Sequence, residues 1–374
     1  MNIRAIVSHS PENDEARFCM EDIVLRETQG NELLVEIVAS GICSTDLFFA
    51  HAAGGELGPF PRVLGHEGVG WVRAIGREVT VAAVGDAVSL SFASCTKCKA
   101  CISFHPAYCH KFSAVNYGAS AAYQRAGGED LSGYFFGQSS FANYSNVLQE
   151  SVVNISKWVD TEQDMYNYAA LGCSFQSGSA TVTKLASVGT EDSVVIMGLG
   201  AVGLSAIMAA KIQECSIIIG VDRFESRLQL ARDLGATHVI NTIEAGHDIA
   251  AAVKSITSGT GSTVTIDATG FMPLIKSGLD FTANKGKMIF LGVPPLDAEM
   301  NLNVVRFMAT GKSILGSMEG DAIPSEHIPC MIDWFKSGKF PINRLVRTYK
   351  AEEFKLAMTD MKSGLTIKPV LVWK

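Results

Sequence analysis

Apolar and polar positions along the chain fall into two regimes. From about residue 3 to residue 86, short apolar stretches are broken by glycine turns. Residues 33–38 (Leu-Leu-Val-Glu-Ile-Val) are rich in branched side chains, and 69–75 and 84–91 read alike. This part predicts a β-rich region. Residues 116–133 are rich in Gly, Ala and Ser and predict a surface loop. The pattern changes near residue 181. Residues 193–197 form a continuous apolar strand, 201–212 have helical periodicity, 216–221 are a second apolar strand and 227–234 are helical again. Residues 238–240, 264–267 and 288–293 add further strands. Strands alternating with helices predict a parallel sheet covered on both faces. Beyond about residue 317 the pattern is mixed, ending in a strand over 368–373.

A length of 374 residues predicts two domains rather than one core. Charged residues make up 18% and the net charge is −7, which argues against nucleic acid or an anionic membrane as the main partner. No apolar run is long enough to span a bilayer, and the first ten residues carry polar side chains throughout, so a cytoplasmic enzyme is expected. Nine cysteines, four of them crowded into 95–109, suit metal ligation better than a secreted disulfide scaffold.

Gly198-Leu199-Gly200-Ala201-Val202-Gly203 fits G-x-G-x-x-G between a predicted strand and a predicted helix, and Asp222 ends the next strand. Gly198 allows the tight turn, Gly200 the approach of a pyrophosphate, and Gly203 the packing of helix on sheet. The helix N-terminus offers free N–H groups to phosphate. A carboxylate at Asp222 accepts hydrogen bonds from the adenosine ribose and repels a 2′-phosphate, which favours NAD. Arg223 beside it keeps NADP as the alternative, and a helix N-cap is the plainer role for Asp222.

Cys95, Cys98, Cys101 and Cys109 can close a tetrahedron around a structural zinc ion. The ligand type alone would also permit an iron–sulfur cluster, and a nucleic-acid-binding zinc ribbon is conceivable but for the acidic charge. Three further segments are Gly41-Ile42-Cys43-Ser44-Thr45-Asp46, Gly65-His66-Glu67-Gly68 and Leu171-Gly172-Cys173. Cys43, His66 and Cys173 could supply three ligands and leave a fourth place open, the geometry of catalytic zinc. Taken singly, each reads equally as a buried core residue.

Together, and in this order along nearly the whole chain, these motifs resemble the medium-chain zinc-dependent alcohol dehydrogenases. Residues 90–95, 105–109 and 135–142 look like the aryl (benzyl) alcohol dehydrogenase branch. The resemblance implies a doubly wound Rossmann nucleotide domain (175–317) and a β-rich, GroES-like catalytic domain carrying zinc (1–174 and 318–374), with the active site between them. It implies two zinc ions per chain and NAD as cofactor. Asp46 would orient His66, Glu67 would sit beside the zinc, and Thr45 would carry off the alcohol proton. Phe92 and Phe141 would line the substrate pocket. Arg227 would lie at the adenosine ribose, Lys368 at the pyrophosphate, and Gly292 and Val293 beside the nicotinamide. Many members have a histidine at the position of Phe48; His51 is the nearest substitute for that proton relay. Ser44 stands where an arginine or histidine often touches phosphate. The implied activity is hydride transfer between a primary alcohol, aromatic or allylic, and NAD, in a homodimer or homotetramer. The alternatives are a reductase of hydrophobic aldehydes or ketones using NADPH, a zinc-free reductase, and a zinc-stabilised binding protein without turnover.

Overall fold

A computed structural model describes residues 1–13, 15–51, 59–118, 120–244 and 248–373. The chain divides into two units: Met1–Cys173 with Ile323–Trp334 and Ile342–Lys374, and Ser174–Ala322 with Phe335–Pro341.

In the first unit, strands Asn2–Glu12 and Glu15–Leu25 form an antiparallel hairpin. With Ser120–Gln124, Asp130–Gly133 and Arg62–Val63 they close into a barrel. Its interior is filled by Ile6, Ile23, Leu131, Tyr123 and Phe141, all buried. The loop expected over 116–133 is therefore largely a hairpin. Its turn is closed by Gly128 N–H donating to Arg125 C=O and Arg125 N–H to Glu129 C=O. Small residues obscured the period, but Tyr123 and Leu131 supply the buried face that pays for ordering the two strands.

A second sheet runs Val152–Asn154, Ala87–Leu90, Gly68–Ile75, Glu32–Gly41, Lys368–Val372 and Val346–Lys350, with Tyr144–Leu148 also paired to Glu32–Gly41. The strand expected over 84–91 is confined to Ala87–Leu90, because Gly85 has a left-handed φ of +95° and turns the chain ahead of it. The C-terminal strand lies antiparallel on Glu32–Gly41, with Val370 opposite Gly41.

Among the described residues, the second unit holds a parallel sheet in the order His238–Asn241, Ile217–Asp222, Ser193–Met197, Ser262–Asp267, Thr282–Phe290 and Ser313–Gly316. The chain builds outward from Ser193–Met197 in one direction, then restarts on its other side with Ser262–Asp267. That reversal is the switch point where open α/β sheets bind ligands. The strand expected over 288–293 starts earlier and ends at Phe290, since Leu291 and Gly292 donate instead to Asp267 C=O. Helix Ala201–Ile212 follows the first strand and is buried along most of its length, which suits its Ala, Leu, Ile and Met content. Among the described residues no helix is long and apolar enough to cross a membrane.

The sequence placed 318–374 wholly with the metal-binding part. Instead 318–322 and 335–341 belong to the second unit, where the fully buried Phe340 ring meets Phe175 edge-on at 6.5 Å. Phe340→Ala should cost about 3–5 kcal/mol, the usual penalty for emptying such a site. Hydrogen exchange should then show lost protection across 174–322 with 1–173 spared. Loss confined to 342–373 would return the segment to the first unit.

Candidate metal centres and dinucleotide site

Cys43 leaves the end of strand Glu32–Gly41 and immediately precedes helix Ser44–His51. Asp46, in the first turn of that helix and fully buried, gathers three donors. It accepts from Cys43 N–H (2.9 Å), Gly65 N–H (3.1 Å) and His66 Nδ1 (2.9 Å). A carboxylate accepting there fixes the imidazole with its proton on Nδ1. His66 Nε2 is then left with its lone pair, buried and without a hydrogen-bond partner of standard geometry. A buried acceptor of that kind is costly unless something fills it. The donor atoms of Cys43, His66, Glu67 and Cys173 all lie within 4.8 Å of one another.

The electrostatics of this cluster suit a cation. A hydrogen bond from Cys173 holds the Cys43 thiol well below its ordinary pKa against the opposing effect of burial, with help from His66 and Lys368. Burial would lower the pKa of His66, but the Asp46 charge and hydrogen bond raise it well above the usual value. A metal ion binding here must displace whatever protons these donors carry.

The second cluster is Cys95, Cys98, Cys101 and Cys109, again with all donor atoms within 4.8 Å. Cys98 and Cys101 sulfurs are 3.5 Å apart, and Cys95 and Cys101 sulfurs 4.0 Å. Backbone N–H groups point at the sulfurs: Cys95 and Lys111 at Cys109 (3.3 and 3.4 Å), His110 at Cys98 (3.4 Å). Hydrogen bonds from the Cys101 and His110 backbone bring the Cys98 thiol down to about 6. Four sulfurs with N–H donors behind them fit a closed, structural zinc site.

In the second unit, Gly198 ends the first strand with a left-handed φ of +91°, and a Cβ on Gly203 would collide with Gly198 C=O. At Gly200 a Cβ would meet no heavy atom within 4 Å, so this face of the turn is open. Asp222 accepts from Leu199 N–H (2.7 Å), Arg223 N–H (2.7 Å) and Phe224 N–H (3.0 Å), tying the end of its strand to the glycine turn. Arg227 Nη1 is 3.7 Å from the same carboxylate, and its buried Nε has no partner. Gly292 lies against the backbone of 268–270, and Val293 is exposed.

Comparison with known proteins decides the family. The zinc-binding dehydrogenase family matches residues 201–337, and the alcohol dehydrogenase GroES-like domain matches residues 29–157. Geraniol dehydrogenase of Castellaniella defragrans is 34% identical over 362 residues, covering 95% of this chain and 94% of that protein. The chain belongs to the zinc-binding alcohol dehydrogenases. Two solved structures are similar over the whole chain. Benzyl alcohol dehydrogenase of Acinetobacter calcoaceticus has a TM-score of 0.91 at 37% identity, with 100% of both chains covered. An alcohol dehydrogenase zinc-binding domain protein of Burkholderia ambifaria has a TM-score of 0.93 at 36% identity, covering 100% of this chain and 99% of that one.

As an alcohol dehydrogenase, the protein departs from the sequence expectations at several residues. Phe92 and Phe141 are buried in the same core cluster of the first unit as Phe135 and Phe136. Phe141 is seated there because Gly65, with φ +89°, has no Cβ to meet its ring and backbone. The rings against the metal cluster are Phe136, stacked on His66 at 4.6 Å, and Phe135, edge-on at 5.5 Å. Sequence reasoning gave these two no role. Their approach depends on Tyr134, Phe136 and Ser139 adopting left-handed backbone, which no composition rule foresees. The Lys368 ammonium is buried and donates to Glu67 Oε2 (2.8 Å), Glu67 Oε1 (3.1 Å) and Ile42 C=O (3.0 Å). Burial would lower its pKa, but Glu67 and Cys43 raise it. Thr45 Oγ1 is 3.7 Å from Cys43 Sγ, beside the cluster. His51 is exposed at the other end of the same helix with Nδ1 on Leu47 C=O at 2.6 Å. Six residues of helix are roughly 9 Å of rise, so a relay from Thr45 to His51 needs a further group between them.

Elemental analysis should give two zinc ions per chain, one for each donor cluster. Cys173→Ala should leave one; an unchanged count would remove Cys173 from the ligands. Because a proton on His66 competes with the metal and the Asp46 charge raises its pKa well above the usual value, zinc affinity at the Cys43 cluster should rise with pH from the ordinary imidazole range to well above neutrality. Chelator competition measures this, and a flat profile would mean that His66 is not a ligand.

Proposed function

We propose that this alcohol dehydrogenase oxidises primary alcohols whose carbinol carbon is attached to an aromatic ring or a double bond, reversibly, with NAD as acceptor. The observation that carries the substrate reading is the aromatic wall of Phe135 and Phe136 on His66. Flat unsaturated groups pack on such rings with a gain beyond their buried area. Two relatives named for benzyl alcohol and geraniol support the same class. The NAD reading is supported by Asp222, a buried carboxylate bonded to the backbone of the glycine turn, where a 2′-phosphate would meet like charge.

Cys43, His66 and Cys173 would hold zinc, whose contribution is to polarise the alcohol oxygen as a Lewis acid. The dinucleotide supplies the hydride acceptor. Asp46 keeps His66 in the tautomer that presents Nε2 to the metal. Phe135 and Phe136 keep water from the imidazole. Thr45 Oγ1, the side-chain hydroxyl beside the Cys43 sulfur, would accept the alcohol proton while giving up its own to water, so that it relays the proton rather than holding it.

Thr45→Val keeps the shape and removes the hydroxyl. Turnover should fall by roughly 10²–10⁴, the range for losing general acid–base help, while zinc content stays unchanged. A fully active variant would pass the proton to water or Ser44. Asp222→Ala should narrow the preference of kcat/KM for NAD over NADP. A native enzyme that already prefers NADP would instead make Arg223 and Arg227 the deciding residues. An initial-rate screen should place benzylic and allylic alcohols above saturated ones; equal rates would reject the aromatic-wall argument.

A further inference from the structure

The Cys43 cluster contains one donor too many for an open site. Glu67 lies within the same 4.8 Å as the two sulfurs and the His66 nitrogen, and four such donors would close a tetrahedron. A closed zinc site has no position for a substrate oxygen. Two features fix the carboxylate where it stands. Lys368 Nζ contacts both of its oxygens, at 2.8 and 3.1 Å, from the C-terminal strand. That strand is fixed in register on Glu32–Gly41, so the ammonium is delivered at a set height above the cluster. On the other side, a Cβ on Gly41 would collide with Glu67 Oε2. The oxygen is therefore seated against bare backbone at the end of the strand that leads into Cys43.

We propose that Gly41 and Lys368 form a seat that holds the Glu67 carboxylate off the metal, and thereby keep the fourth coordination position open for the alcohol oxygen. The proposal rests on Cys43, His66 and Cys173 holding the metal. Charge supports it. Two thiolates balance a divalent cation, so Glu67 would add an uncompensated anion to a buried site. Lys368 supplies the matching cation at hydrogen-bond distance, and buried charges persist only when paired. Without Lys368 the cation closest at hand for Glu67 is the metal. Both are positioning residues: neither touches substrate.

The test uses the full-length enzyme with cobalt(II) exchanged into the Cys43 cluster. It reads the visible spectrum and the affinity for imidazole, a neutral ligand that needs a free coordination position. Gly41→Ala pushes the carboxylate out of its seat without altering any charge, and Lys368→Met removes its partner. Each should shift the spectrum and weaken imidazole binding by about tenfold or more, the scale on which groups behind a metal's ligands act. Glu67→Gln, alone or combined with Gly41→Ala, should bind imidazole as the native enzyme does, and Lys368→Arg should restore binding. NADH affinity, read by fluorescence, should be unchanged in Lys368→Met. Weaker NADH binding with native imidazole affinity would move Lys368 to the nucleotide and overturn the seat. So would a changed spectrum in Glu67→Gln alone, since Glu67 would then already be a ligand. Should Lys368→Met fail to fold, Gly41→Ala and Glu67→Gln still decide between these outcomes. One metal per native chain overturns the metal assignment and the seat together, whereas two metals with all variants native-like overturns the seat alone.

Discussion

The carboxylate of Asp46 is the constraint on which the metal cluster depends. It is fully buried, and its N–H donors come from both segments that must meet: Cys43 on one side, Gly65 and His66 on the other. Breaking a buried, multiply bonded carboxylate of this kind is far more costly than losing a surface pair, because the donors left behind are also out of water. One side chain thus fixes the backbone at the Cys43 sulfur, the backbone ahead of the imidazole, and the imidazole's tautomer. The two phenylalanine rings then have a fixed plane to pack on.

A similar economy holds in the second unit. Asp222 joins the end of one strand to the turn after another through Leu199 N–H, and accepts from the N–H of Phe224, the residue at the N-cap of the next helix. The helix-capping role weighed for Asp222 in the sequence falls instead to the position of Phe224, which offers no side-chain cap. The neighbouring Arg227, stacked on Phe224 and 3.7 Å from Asp222, belongs to the same small network.

What could be read from the sequence follows physical range. The donor clusters were legible because thiolate and imidazole chemistry restricts what such residues are for, and C-x2-C spacing is local. The strand at 193–197 and the helix at 201–212 were legible because an apolar run and then a helical pattern flank a glycine turn. The hairpin within 116–133 was not, since short strands of small residues carry a weak period and are held by the barrel they close. Phe135 and Phe136 were passed over for Phe92 and Phe141 because a left-handed backbone, not side-chain type, turns them toward His66. The placement of 335–341 was missed because one ring, Phe340, decides it through a contact distant in sequence.

The Glu67–Lys368 bond spans 301 positions of chain, whereas the bond from Cys95 to Cys109 spans 14. That difference sets an order of assembly during synthesis. At about 5–20 residues per second, the four-cysteine lobe has all its sulfurs outside the ribosome within seconds of the first. Cys43 and His66 wait for the remainder of the polypeptide before the ammonium that balances Glu67 exists at all. The structural centre can be metallated on a nascent chain, and the catalytic one acquires its final charge balance only after the last strand has docked.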